Sequence, residues 1–267
     1  MFELEVHGHV AHLKLSRPEK LNAMGLEFWD RLPSFVAQID EMMEVRAAVL
    51  SGEGKAFSVG LDFFDIMPRL GMGSTGPDGE RQRQLHQLIR HMQRAVTSIE
   101  RCRVPVIAAI HGYCLGGGVD LVTACDIRLA AESAVFGVRE PKVAIVADIG
   151  TLQRLPRLIG AGLARELIYS GRDFNAVYAQ EIGLVNRILP DRNAVIESAI
   201  ALAEEIAKNA PLAVQGSKQV MIEADRGAID RELEYVATWN AAHLLSQDLG
   251  TAVAAFAAKK EPDFRGR

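Results

Sequence analysis

The sequence predicts an α/β protein whose sheet is covered by helices, and three observations carry that prediction. Short apolar or β-branched runs bounded by turn residues recur along the chain. They do not alternate with polar residues, which is the pattern of strands buried on both faces. Longer stretches of helical period lie between them. The 267 residues are 49% hydrophobic and 24% charged, which suits one large core and excludes a disordered or collagen-like chain.

Taken in order, Val10 to Leu15, Ala47 to Ser51, Val104 to Ile110 and Ile127 to Ala131 read as strands. On an N-terminal strand His7 and His9 point one way and His12 the other, so a solvated hairpin is expected instead of a metal site. Asn22 is placed to cap a helix carrying Leu26, Trp29, Leu32, Phe35, Val36 and Ile39, which Pro33 should kink or divide. Pro68 to Gly79 reads as a mobile loop. Its Gly71 to Gly76 matches GxGxxG but follows no strand and runs into Pro77, so a nucleotide site is not expected there. From Leu85, the residues Leu88, Ile89, Met92, Val96 and Ile99 form one stripe with Arg90 and Arg94 facing away, a surface helix packed on a core. After Pro190 the pattern turns helical, over Ala194 to Lys208, Ala213 to Ala224 and Ile229 to Ser246. The expected division is a core domain of residues 1–205 and a C-terminal helical region of residues 206–267.

Thirty Lys and Arg against 34 Asp and Glu give a net charge of -4, so no global positive field attracts nucleic acid. The arginines at 81, 83, 90, 94, 101 and 103 spread around a helix and read as a solvated face. Cys102, Cys114 and Cys125 form no ligand-spaced pair and are odd in number, which fits a reducing cytoplasm. The uncharged stretch Val104 to Val119 falls short of the roughly 20 apolar residues of a membrane span. Met1 to His12 lacks the build of a secretory signal and Phe264 to Arg267 carries no targeting tripeptide, so a cytoplasmic location is expected.

The chemistry concentrates between Val104 and Leu155. A buried-type strand runs into His111-Gly-Tyr-Cys-Leu-Gly-Gly-Gly118, and a helix starts near Val119 and Asp120. Glycines at a strand-to-helix turn, with unpaired N–H groups at the positive end of the helix, can stabilise an oxyanion; a tight packing turn has the same letters. The run lacks the Lys and Ser/Thr of a P-loop. His111 suits either a structural hydrogen bond or a chemical role. Upstream, Lys55-Ala-Phe-Ser-Val-Gly-Leu-Asp62 places Gly60 in another strand exit, a second source of an amide donor or simply a turn. Three carboxylates follow: Asp120, Glu140 and Asp148. Desolvation and like-charge neighbours would raise the pKa of an acid placed as Asp148 is, among aliphatic residues, toward values useful for proton transfer. The competing reading has Asp148 capping a helix from Thr151 to Ile159 and Glu140 pairing with Arg139 or Lys142.

These pieces together resemble the crotonase superfamily, the enoyl-CoA hydratase and isomerase fold. The motifs are Arg17-Pro-Glu-Lys-Leu-Asn-Ala23, Lys55 to Asp62, Pro105-Val-Ile-Ala-Ala-Ile-His-Gly112, Leu115-Gly-Gly-Gly118, Ala124-Cys-Asp-Ile-Arg128 and Gly150-Thr-Leu-Gln-Arg-Leu155, in family order from the N-terminus to Lys208 and beyond. The resemblance implies a spiral of ββα units with a C-terminal helical trimerisation region, and a homotrimer or dimer of trimers. It implies that the Leu61 and Gly117 amides form an oxyanion hole for a thioester carbonyl, with Gly116 beside them. Lys20, Leu21, Ala56, Ser58, Asp62 and Phe63 would line the CoA path; CoA is part of the substrate, and no separate cofactor is implied.

Hydratases of the superfamily carry Glu at the positions of Asp120 and Glu140, and glycine where Asp148 stands. This sequence is instead similar to the Δ3,5-Δ2,4-dienoyl-CoA isomerase group, in Gly-Gly-Gly-Val-Asp120, Glu140 and Ala-Asp148-Ile-Gly-Thr-Leu-Gln-Arg-Leu-Pro156, and also in Val214-Gln-Gly-Ser-Lys218 and Ala237-Thr-Trp-Asn240. What this implies is an acyl-CoA isomerase in which Asp148 is the base at C2 and Glu140 the acid at C6, while Asp120 orients them. The alternatives are a 2-enoyl-CoA hydratase and, more distantly, a scaffold that uses the basic stretch near Arg90.

Overall fold

The computed structural model describes residues 1–70 and 78–266. The chain opens as an antiparallel hairpin, β1 (Phe2–His7) on β2 (Val10–Leu15), and crosses through helix α1 (Leu26–Glu41). It then repeats one cycle: a strand for a large sheet, a short strand for a small one, then helix. The first cycle is β3 (Ala47–Gly52), β4 (Ala56–Ser58), α2 (Phe63–Ile66) and α3 (Asp78–Glu100). The second is β5 (Val106–Ile110), β6 (Tyr113–Leu115) and α4 (Gly117–Ala124). The third is β7 (Ile127–Ala131), β8 (Val135–Gly137), α5 (Thr151–Ile159) and α6 (Ala161–Ser170). Then come β9 (Phe174–Asn175), α7 (Ala176–Glu181), β10 (Arg187–Leu189), α8 (Arg192–Ala207), α9 (Pro211–His243) and α10 (Gln247–Ala257).

The six-stranded sheet runs β1-β2-β3-β5-β7-β10 and the four-stranded sheet β4-β6-β8-β9. All neighbours are parallel except β1 with β2 and β8 with β9. Successive cycles therefore lay their strands side by side in both sheets, so the chain winds as a spiral of ββα units. The continuous apolar runs have a physical reason. Val49, Ile107, Ala109 and Leu129 pack under Val195, Ala199 and Ala203 of α8, while the intervening Ala48, Leu50, Ala108 and Ile110 join the core that includes Trp29, Ile89 and Val122 from α1, α3 and α4.

Several expectations change. The helix with Pro33 is neither capped by Asn22 nor divided: it starts after Gly25, and the Asp65 carboxylate accepts from Leu26 N at 2.6 Å, a cap supplied by another element. Asn22 instead pins the preceding loop, its Nδ2 donating to the carbonyls of Glu53 and Ala56 at 2.9 and 2.8 Å. His12 is not solvated: its Nε2 lies 2.7 Å from Ser51 Oγ, and burial pushes its pKa down to about 4. The two helices expected beyond residue 213 are one of 33 residues, α9. Its Lys218 reaches the Asp126 carboxylate at 2.7 Å and the Val104 carbonyl at 2.9 Å, tying the helix to the large sheet at β5. Of the Pro68 to Gly79 loop, residues 71–77, with the whole GxGxxG match, lie outside the described residues.

Candidate active site

The site grows out of the small sheet. Because β4 and β6 are parallel neighbours, with Ala56 opposite Tyr113 and Ser58 opposite Cys114, the turns that leave them lie side by side. Gly60 has φ +84°, and a methyl built on it would come within 2.8 Å of the Leu115 carbonyl and 3.0 Å of Gly117 N, so only glycine fits. Gly116, at φ +49°, is the cap residue just before α4. Next to Gly60, Met24 donates to the Gly60 carbonyl (2.8 Å) and accepts from Asp62 N (3.0 Å), a parallel bridge that leaves the Leu61 N–H pointing away from Met24. Among the described residues no acceptor takes the N–H of Leu61 or of Gly117, the first residue of α4. Two free amides at adjacent turns, one at a helix N-terminus, can hold a developing oxyanion.

Three acids from different elements gather at and behind these turns, each felt by another's charge. A methyl on Gly116 would meet Glu140 Oε1 at 3.1 Å, which places this carboxyl at the glycine turn. Glu140 keeps some surface as a residue, but its Oε2 is enclosed and has no partner among the described residues. Burial, and then the charges of Asp120 and Asp148, push its pKa up to about 8. Asp120, 1% exposed, accepts from Thr151 N at 2.6 Å and so caps α5 across space. Burial lifts its pKa to about 6 against that hydrogen bond. Asp148, 7% exposed, accepts from Asn240 Nδ2 at 2.6 Å; burial raises its pKa to about 7, with a further push from Asp120. The alternative pairings fall away: Gly150, not Asp148, precedes α5, and Arg139 is engaged by Asp173.

Of the residues expected along a CoA path, Lys20 is exposed, and Leu21 (φ +51°), Asp62 and Phe63 are partly exposed. Asp62 pairs with Arg17 at 2.9 Å and caps α2. Ala56 and Ser58 are wholly enclosed and offer no surface to a ligand. Ser58 Oγ instead donates to the Asn22 carbonyl (2.8 Å) and accepts from Gly60 N (3.1 Å), bracing the turn from behind. His111 makes the structural contact, to the Gly54 carbonyl at 3.1 Å. The basic stretch is largely spent on the protein: Arg90 pairs with Glu234, Arg101 with Asp230, and Arg103 donates to the carbonyls of Asp40, Met42 and Val45. A largely apolar depression of about 570 Å³ opens beside the Asp148 segment at Val146, walled also by Leu152, Tyr235 and Trp239.

Gln93, Thr151 and Asn240 also belong to the site's framework, and the residue reading did not single them out for it. Gln93 carries the clearest sequence signal, a polar amide on the same face as Leu85, Ile89 and Met92 of an apolar stripe.

A spiral of ββα units with paired glycine turns beside buried acids is the crotonase class of protein. The chain belongs to the enoyl-CoA hydratase/isomerase family, whose model matches residues 5–267. It is 43% identical over 256 residues to a peroxisomal Δ3,5-Δ2,4-dienoyl-CoA isomerase of Arabidopsis thaliana, covering 96% of this chain and 92% of that protein. It is 44% identical over 255 residues to the mitochondrial Δ3,5-Δ2,4-dienoyl-CoA isomerase of Mus musculus, covering 95% and 78%. A crystal structure of an enoyl-CoA hydratase/isomerase from Pseudoalteromonas atlantica T6c superposes with a TM-score of 0.86 at 25% identity, over 99% of both chains.

Proposed function

We propose that the protein is an isomerase that shifts the double bonds of a 3,5-dienoyl-CoA into conjugation with its thioester, giving the 2,4-dienoyl-CoA. The observation that carries this reading is Asp148, a third buried acid in electrostatic reach of Asp120 and of Glu140 at the glycine turn, and the names of the relatives above support it. The thioester oxygen accepts from the Leu61 and Gly117 amides. Asp148, as carboxylate, takes a proton from C2; the electron pair spreads along the dienolate; and Glu140, as acid, delivers a proton to C6. The order of the two pKa values, about 7 and about 8, agrees with those roles, because near neutral pH the proton resides first on Glu140. The C2–H bond breaks, a C6–H bond forms, and exchange restores the two acids before the next turnover. Nothing is oxidised or reduced, so CoA enters only as part of the substrate.

A hydratase needs two carboxylates free to orient water. Here an oxygen of Asp120 is committed to the Thr151 N–H, which favours the isomerase. Exposed apolar side chains on α9 and α10, among them Leu212, Met221, Tyr235 and Phe256, support a homotrimer or dimer of trimers. Lys20, Leu21, Asp62 and Phe63 offer the surface for the CoA moiety. The cytoplasmic setting rests on three cysteines that are all free and buried. The deciding experiment follows the ultraviolet absorbance of the conjugated 2,4-dienoyl thioester formed from a 3,5-dienoyl-CoA, beside an assay with crotonyl-CoA. Rapid appearance of the conjugated product is expected. Rapid hydration of crotonyl-CoA with no diene shift would contradict the reading.

A further inference from the structure

Asp148 is the acid on which the isomerase reading turns, yet its carboxylate is held from outside its own loop. Both hydrogens of one side-chain amide are aimed at the segment: Asn240 Nδ2 donates to Asp148 Oδ2 at 2.6 Å and to the Val146 carbonyl at 2.8 Å. Asn240 is 1% exposed and sits near the end of α9, far along the chain from the glycine turns. A second amide fixes the backbone beneath: Gln93 Nε2 of α3 donates to the Asp148 carbonyl at 2.7 Å and to the Leu233 carbonyl of α9 at 2.9 Å. An amide with both hydrogens engaged cannot turn away without leaving a buried acceptor unpaired.

The charged neighbours make that donor matter. Asp120 of α4 opposes a negative charge on Asp148, and a charge on Asp148 in turn holds the proton on Glu140. From α5, the Arg154 guanidinium is engaged by Glu100 in two hydrogen bonds of 2.9 Å; Arg90 of α3 and Glu234 of α9 pair with each other at 3.2 Å. What α3 and α9 present directly to Asp148 is neutral: Gln93 to its carbonyl and Asn240 to its carboxylate. An N–H donor favours the charged form of a carboxylate over the protonated one.

We propose that Asn240, contributed by the C-terminal helical region, is the positioning residue that holds the Asp148 carboxylate in place as the proton-abstracting base. The inference rests on the isomerase reading. It assigns α9 a part in the reaction at the site itself, apart from any part in assembly.

The test is the dependence of kcat/KM on pH for a 3,5-dienoyl-CoA, in the full-length protein and in Asn240→Leu. Losing the donor should move the acid limb upward by about one pH unit, so that the rate on that limb falls roughly tenfold and recovers as pH rises. In an Asp148→Asn background, Asn240→Leu should add no further loss, because the two substitutions share one interaction. Should the Leu variant fail to fold, Asn240→Asp keeps the shape and puts an acceptor where the donor stood, and its acid limb should move at least as far. An unmoved limb, or an equal loss at every pH, would overturn the proposal. Absence of diene conjugation by the unsubstituted protein would instead overturn the isomerase reading, so the two failures are distinguishable.

Discussion

In the proposed reaction Asp148, Glu140 and the two amides divide the work by environment. General acid/base groups are worth roughly 10² to 10⁴ in rate, so Asp148→Asn, nearly the same in shape, should fold normally and lose turnover by that order. Near-native turnover in the purified variant would remove Asp148 from the reaction. The two pKa values also set the pH profile: activity should rise as Asp148 ionises near 7 and fall as Glu140 loses its proton near 8, a narrow bell. A plateau from pH 5 to 9 would contradict the assignment. The burial of Asp148 is legible in the residues: an acid in an aliphatic segment reads as buried, and it is. What the letters do not carry is partner choice across space. Asp148 looks like a cap for α5, but Asp120, on another helix, supplies it. Ser58 looks like a lining residue, but it braces Gly60 from within.

Among the elements, the four-stranded sheet matters most for function, although its strands are only two or three residues long. Such strands are too short for a period-two pattern to rise above noise, so the sequence shows four strands of the large sheet and none of the small one. The small sheet is nevertheless what sets the Gly60 and Gly116 turns side by side. Gly60→Ala combines a forbidden φ with contacts to rigid backbone, so the Leu61 amide must shift. Losing one oxyanion donor typically costs about 10² to 10³ in kcat, and a loss of that size is expected with little change in KM. A kcat within about threefold of the unsubstituted protein would show that this turn is not part of the catalytic apparatus. The long α9 reads in the sequence as two helices because Gly227 and nearby polar residues interrupt the apolar period. Its buried positions are specified by segments far off in sequence: Lys218 by Val104 and Asp126 at the large sheet, Leu233 by α3, and Asn240 by the Asp148 segment.

For the molecule as a whole, the same acids tie function to stability. Asp120, Glu140 and Asp148 have folded pKa values raised to about 6, 8 and 7 from ordinary values of 3.8, 4.5 and 3.8. Each holds its proton more tightly in the folded state. The stability they contribute is therefore complete below about pH 4 and is lost as pH rises through the folded values. Unfolding free energy should decline between about pH 4 and 8, and Glu140→Gln, which cannot ionise, should be more stable than the parent at pH 8 by about 1 to 3 kcal/mol. Chemical denaturation at pH 5 and pH 8 checks both; an equal stability of parent and variant at pH 8 would contradict the burial argument. The central claim is that two distinct acids move hydrogen between opposite ends of a dienolate. Its most direct test is turnover of a 3,5-dienoyl-CoA in D2O, with the position of deuterium in the product read by NMR. Deuterium at C6 of a 2,4-dienoyl thioester is the predicted result; a product with no label at C6, or one carrying a hydroxyl at C3, would contradict it.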